Sequence, residues 1–185
     1  MLTQIIIFGA SGDLTGRKLI PGLLASHCEG RFDGPIQIVG VARRAKSDDG
    51  WRAELTEWLE PADRARFATL APHVFYQAGD ALDPDSAAAL AVRLDGLARQ
   101  AGADPAAVGR LFYLALKPDL FAPVVDGLAA QGLLHAPLGE KTAWRRVVVE
   151  KPFGTDLASA QALNRALRAH LHEEQILRID HYLGK

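Results

Sequence analysis

The chain has 185 residues, the length of one domain or slightly more. Its 21 Lys+Arg and 22 Asp+Glu nearly cancel, which argues against a protein that binds nucleic acid by neutralising phosphates. Hydrophobic residues at 49% and charged residues at 23% match globular averages and exclude global disorder, and a single cysteine, Cys28, excludes an internal disulfide and a thiolate-built zinc site.

Six short apolar runs rich in Val and Ile follow one another at residues 4–8, 36–41, 74–77, 111–116, 147–149 and 175–179. Several are apolar at consecutive positions, as strands are when a parallel sheet is covered on both faces. The spacers between them read as helices. Leu19, Leu23 and Leu24 share a face in the first. An Ala-rich helix over residues 86–100 carries Leu90, Leu94 and Leu97 at helical spacing, with Pro84 and Asp85 just ahead of it. Asp156 caps a segment in which Leu157, Ala160, Leu163 and Leu167 face one way. Alternation of strand and helix at this length predicts an α/β fold, doubly wound about a mainly parallel sheet. Residues 100–108 and 135–141 read as surface loops. No run of about 18 apolar residues exists and the start lacks a charged segment followed by a long apolar one, so the expectation is a soluble, cytoplasmic chain with no membrane partner.

The strongest local signal is the passage from the first strand, Ile5-Ile6-Ile7-Phe8, into Gly9-Ala10-Ser11-Gly12-Asp13-Leu14-Thr15. Gly9 permits a tight turn, Gly12 lets the backbone approach a pyrophosphate, and amides at the helix start supply donors and partial positive charge. Thr15 is small enough to stand where a third glycine lets helix pack on sheet. The spacing is G-x-x-G-x-x-T and not the full G-x-G-x-x-G, so an ordinary strand-to-helix turn is the competing reading. With its flanking strand and helix, the turn points to a Rossmann-like dinucleotide-binding fold. The end of the second strand separates cofactors, because an acid there suits the ribose hydroxyls of NAD and an arginine suits a 2′-phosphate. Here it reads Ala42-Arg43-Arg44, while the acids Glu29 and Asp33 precede the strand. Arg43 can meet a phosphate with a planar fork of donors, and Arg44 or Lys46 adds to the field. NADP is therefore favoured over NAD, against the alternative of a solvated basic turn balanced by Asp48 and Asp49.

Polar groups also follow each of the later strands: Asp80, Lys117-Pro118, Glu150-Lys151-Pro152 and Asp180-His181. In an open parallel sheet ligands bind outside the carboxyl ends of the strands, so these residues are expected to share one edge. A helical turn beginning after Asp180 would set His181 and Lys185 on one face, an anion site fit for a substrate phosphate. Lys151 could share that crevice and hydrogen-bond substrate and cofactor together, and Asp180 could orient and charge-stabilise a histidine base. The histidines at 27, 73, 135, 170 and 172 have no metal-ligand spacing, so no metal is expected. Trp51, Trp58 and Trp144 read as packing residues.

At these residues the sequence resembles the glucose-6-phosphate dehydrogenase family. The match runs through Gly9-Ala10-Ser11-Gly12-Asp13-Leu14 with Lys18 and Pro21, Ala42-Arg43, and Leu111-Phe112-Tyr113-Leu114-Ala115-Leu116. It continues with Glu150-Lys151-Pro152-Phe153-Gly154 and ends in Arg178-Ile179-Asp180-His181-Tyr182-Leu183-Gly184-Lys185, the most specific of these motifs. The resemblance implies oxidation of glucose 6-phosphate at C1 to a 6-phosphogluconolactone with hydride transfer to NADP, the first step of the pentose phosphate pathway. By matching position, Gly9, Ala10, Ser11, Gly12, Asp13, Leu14, Arg43, Asp80, Ala81, Ala115, Leu116 and Lys151 would line the cofactor. Lys151, His181, Tyr182 and Lys185 would hold the substrate, with Asp180 and Lys151 in the catalytic machinery. The resemblance further implies that residues 1–185 form the NADP-binding domain, ending at the start of the substrate site. A larger α+β domain carrying the catalytic histidine would then be missing, so that the chain alone is inactive and forms a homo-oligomer only at full length. One departure stands inside the matched motifs: Lys117-Pro118 occupies the place of a family Pro-Pro and puts a cation near the nicotinamide half of the cofactor. The alternative is a stand-alone NADP-binding or redox-sensing module without catalysis.

Overall fold

Six strands lie in one parallel sheet among residues 1–135 and 143–180, which are the residues the structure, a computed structural model, describes. They are β1 (Thr3–Phe8), β2 (Ile36–Ala42), β3 (Val74–Ala78), β4 (Gly109–Leu114), β5 (Arg145–Glu150) and β6 (Ile176–Ile179). Their order is β3-β2-β1-β4-β5-β6, each pair parallel. Successive side chains of a strand point to opposite faces. From Ile5 onward β1 is apolar on both sides: Ile6 and Phe8 enter one core, Ile5 and Ile7 the other. Strand β2 divides the same way, Val39 and Val41 against Ile36 and Ile38. That double burial is why these strands read as unbroken apolar runs.

Helices α1 (Ile20–Cys28), α2 (Asp48–Trp58) and α3 (Pro61–Leu70) cover the Ile5/Ile7 face through Ile20, Leu24, Trp51, Leu55, Phe67 and Leu70. Helices α4 (Pro84–Gln100), α5 (Phe121–Ala130) and α6 (Leu157–Arg168) cover the other through Leu90, Leu94, Leu97, Val124, Leu128 and Leu167. Parallel crossovers are right-handed, so reversing the direction of travel after β3 carries the later helices to the opposite face. The reversal also parts the connections leaving β1 and β4 and opens a crevice at their carboxyl ends.

Local chemistry sets the element ends. Asp83 caps α4 by accepting from the backbone N–H groups of Asp85 and Ser86, with Pro84 in the first helical position, so Pro84 and Asp85 lie inside the helix and not ahead of it. Asp156 does cap α6, accepting from the Ser159 amide at 2.7 Å. Leu157 is nonetheless 74% exposed, and the buried stripe of α6 centres on Leu163 and Leu167. Strand β4 starts at Gly109 and ends at Leu114, two residues short of the expected Leu116, because the chain turns away at Ala115 to pass Gly9. Among the described residues no helix is long and apolar enough to cross a membrane.

Candidate functional site

The turn after β1 is built around one close approach. Gly9 has φ +84, and a Cβ there would lie 2.2 Å from the Ala115 carbonyl oxygen. Only glycine satisfies both conditions without moving the β4 connection. The amides of Gly9 and Ala10 donate to the Val41 carbonyl at 3.0 and 3.2 Å, tying the turn to β2. Gly12 N–H donates back to Gly9 O at 2.9 Å, and the buried Thr15 hydroxyl donates to the same oxygen at 3.1 Å. Thr15 thus closes the turn. The tightest packing behind it falls one residue on, at Gly16, where a Cβ would stand 2.9 Å from the Trp58 ring. Trp51 supports the turn from the side: it lies over Gly40, whose Cβ would come within 2.4 Å of the ring, and its indole N–H reaches Ala10 O at 3.4 Å. The motif spacing alone signals neither Gly16 nor Gly40, because both contacts depend on where α2 docks.

Beside this turn lies a crevice of about 890 Å³. Of the residues expected to line a cofactor, Gly9, Ser11, Gly12, Arg43, Asp80, Ala81, Ala115 and Leu116 form its wall. Ala10 is instead buried, Leu14 packs into the Ile5/Ile7 core, and the exposed Asp13 pairs with Arg17 at 3.8 Å. Arg44, Gly79, Leu82 and Lys117 also border the crevice. Gly79 and Leu82 carry no motif that would single them out, and they arrive because the β3 connection folds back, with Gly79 N–H donating to Ala42 O at 3.0 Å.

Arg43 is exposed and forms no ion pair with a described residue. The acids that follow it are engaged elsewhere. Asp48 accepts from the Tyr76 amide and from Arg93, each at 2.7 Å, and Asp49 accepts from Arg52 at 2.7 Å. Lys46 does not behave as a free addition to the field. Its ammonium pairs with Glu54 of α2, sits 5.7 Å from the Tyr76 ring centre and approaches Ser11 Oγ at 3.4 Å. Its charge is offset, and its side chain braces the glycine turn against α2.

Further along the same edge, Lys151 continues β5 by donating its amide to Ile179 O at 3.2 Å, and its ammonium pairs with the Asp180 carboxylate. Lys151 stands outside the wall of the first crevice. Below it Tyr113 donates its hydroxyl to Glu150, and burial, with that carboxylate second, holds the phenol well above its usual pKa. His181, Tyr182 and Lys185 lie outside the described residues.

A glycine turn pinned at the switch point of a parallel sheet, facing a crevice with an exposed arginine at the adjoining strand end, defines a dinucleotide-binding α/β domain. A family model described as glucose-6-phosphate dehydrogenase, NAD binding domain, matches residues 6–185, and the chain belongs to that family. Similar proteins include the glucose-6-phosphate 1-dehydrogenases of Mycolicibacterium smegmatis, 40% identical, and Chlamydia muridarum, 35% identical, each match taking in 98% of this chain. A solved glucose-6-phosphate dehydrogenase in complex with glucose 6-phosphate superposes with a TM-score of 0.84 at 35% identity, over 99% of this chain and 37% of that one. The chain spans about 36% of the length of the curated relatives it matches.

Proposed function

We propose that residues 1–185 act as the NADP-binding part of a cytoplasmic enzyme that oxidises glucose 6-phosphate at C1, with substrate contacts and a base drawn also from polypeptide beyond this span. The observation that carries the reading is the meeting, at one sheet edge, of the Gly9 turn and the exposed Arg43, which has no ion pair among the described residues. The crevice suits such a ligand in size, since ligand pockets run to about 300–1,000 Å³, and a Cβ at Gly9 would displace its β4 wall. When bound, the nicotinamide ring supplies the hydride acceptor. The glycine turn presents amides and the start of the first helix to the pyrophosphate, and Arg43 offers its fork of donors to the 2′-phosphate. Ala10 and Leu14 support the turn from behind.

On the β5–β6 side Lys151 is assigned the C1 hydroxyl of the sugar and contact with the cofactor, so that the two align before reaction. Asp180 holds the Lys151 ammonium in place. His181, Tyr182 and Lys185 are assigned the sugar phosphate on their match to the family motif. Calorimetric titration of the purified protein with NADP and with NAD tests the reading. Saturable binding with NADP the tighter ligand is expected; binding of neither nucleotide would overturn it.

A further inference from the structure

Lys117 is a cation on the β4 side of the crevice to which the functions assigned above give no part. It follows β4, borders the crevice together with Ala115 and Leu116, and is exposed. Its backbone is held: φ −69 and ψ 147 place it in the extended region that a following proline enforces, and its carbonyl accepts from the Leu120 amide at 3.0 Å. The direction in which its side chain leaves the sheet is therefore set by the fold. Among the described residues it forms no ion pair, although Asp119 borders the same crevice.

The sheet order says which half of a dinucleotide Lys117 meets. Strand β4 flanks β1 on the side away from β2, and a dinucleotide lies across that switch point with one half over each side. Arg43 follows β2 and marks the 2′-phosphate end, so the residues after β4 face the nicotinamide end. The phosphates are negative in both redox states of the cofactor. The nicotinamide ring carries a positive charge only when oxidised and is neutral once it has accepted hydride. An ammonium near the ring thus opposes one state and leaves the other untouched.

We propose that Lys117 makes the crevice discriminate between the redox states of the nicotinamide ring, weakening the oxidised cofactor relative to the reduced one. This rests on the dinucleotide reading above and assigns one residue of the crevice wall a part in it. Lys117 is exposed, so solvent screens the repulsion, and the expected effect is about three- to tenfold in relative affinity. The test is equilibrium binding of NADP⁺ and NADPH to the wild type, Lys117→Met and Lys117→Arg, at low and at moderate salt, with melting temperatures recorded beside it. In Lys117→Met the NADP⁺ dissociation constant should fall about three- to tenfold relative to that of NADPH, less so at the higher salt, while Lys117→Arg keeps the wild-type ratio. If the wild type binds both nucleotides and Lys117→Met shifts both constants together, Lys117 meets the shared phosphates and the proposal falls while the dinucleotide reading stands. An unchanged ratio with unchanged constants overturns it equally. Wild type that binds neither nucleotide removes the dinucleotide reading, and this inference with it.

Discussion

Arg43 and Lys46 lie three positions apart in one basic turn, yet the fold gives them different work. Lys46 is drawn against Glu54 and the Tyr76 ring, whereas Arg43 stands exposed at the crevice wall without a counter-ion among the described residues. Loss of a charge-assisted contact to the 2′-phosphate costs about 1.5–3 kcal/mol. Arg43→Ala should weaken NADP by that amount and leave NAD nearly unchanged in parallel titrations. Equal weakening of both cofactors would show that Arg43 does not read the phosphate. The position of Arg43 was legible because a strand end is marked by its composition. The pairing of Lys46 was not, since Glu54 reaches it only once α2 has docked on β2 and β3. A similar choice arises at Lys151. An exposed Lys–Asp pair contributes about 0–1 kcal/mol, so if Lys151 served only to pair with Asp180, Lys151→Ala would alter kcat/KM of the active enzyme at most several-fold. If it aligns the sugar with the cofactor, the loss should be about a hundredfold or more at unchanged melting temperature. Near-normal kcat/KM in a fully folded variant would reduce Lys151 to scaffold.

The turn between β1 and α1 acts as a unit whose geometry depends on β4. Gly9 holds a positive φ and lies against the Ala115 carbonyl, so a methyl group there forces the β4 connection outward. Gly9→Ala should lower stability by about 1–2 kcal/mol or more and abolish dinucleotide binding. Gly22→Ala, in α1 with nothing within 4 Å of its Cβ, should keep binding and stabilise by about 0.5–1 kcal/mol. Chemical denaturation with a binding assay on both variants checks the contrast, and retained affinity in Gly9→Ala would refute the steric account. Elements themselves were readable to the extent that their pattern was local. The strand runs survive because a doubly covered strand is apolar at every position. The end of β4 was misplaced because Ala115 and Leu116 are as apolar as the strand before them, and only the approach of Gly9 turns them out. In α6 the Asp156 cap was visible as a local hydrogen-bonding motif, but the exposure of Leu157 depends on how far the first turn stands off the sheet.

At the scale of the whole molecule the sheet has two unlike edges, a ligand edge at the carboxyl ends and a polar seam at the amino ends. Gln4, entirely buried in β1, donates to Gln37 of β2 at 2.9 Å and to the Leu94 carbonyl of α4 at 2.7 Å. It accepts from Arg110 of β4 at 2.9 Å, and Arg110 in turn pairs with Asp95 of α4 at 2.6 Å. Gln37 donates to the Leu97 carbonyl at 2.9 Å. Arg145 of β5 closes the seam by donating to Val108 O, and burial, then the neighbouring Arg110 charge, pulls its pKa down to about 10. This seam fixes α4 against the three central strands and so sets the depth of the crevice at the opposite end. The sequence pattern gives no hint of it, since the partners of Gln4 come from β2, β4 and α4 and are brought to it only by the fold. A decisive variant is Gln4→Leu, which raises apolar burial at nearly constant volume. If only hydrophobic burial mattered, it would stabilise the protein. It strands the Arg110 Nε and the Gln37 amide oxygen without their partner and takes from the Leu94 carbonyl its second donor, and each buried polar group left unsatisfied costs about 1–3 kcal/mol. The net expectation is destabilisation by about 2–5 kcal/mol, read as a lower urea midpoint at unchanged slope. Nucleotide affinity should weaken less than stability does, because no ligand contact is touched. A Gln4→Leu protein as stable as the wild type would mean that the seam is incidental and that the apolar layers alone hold α4 in place.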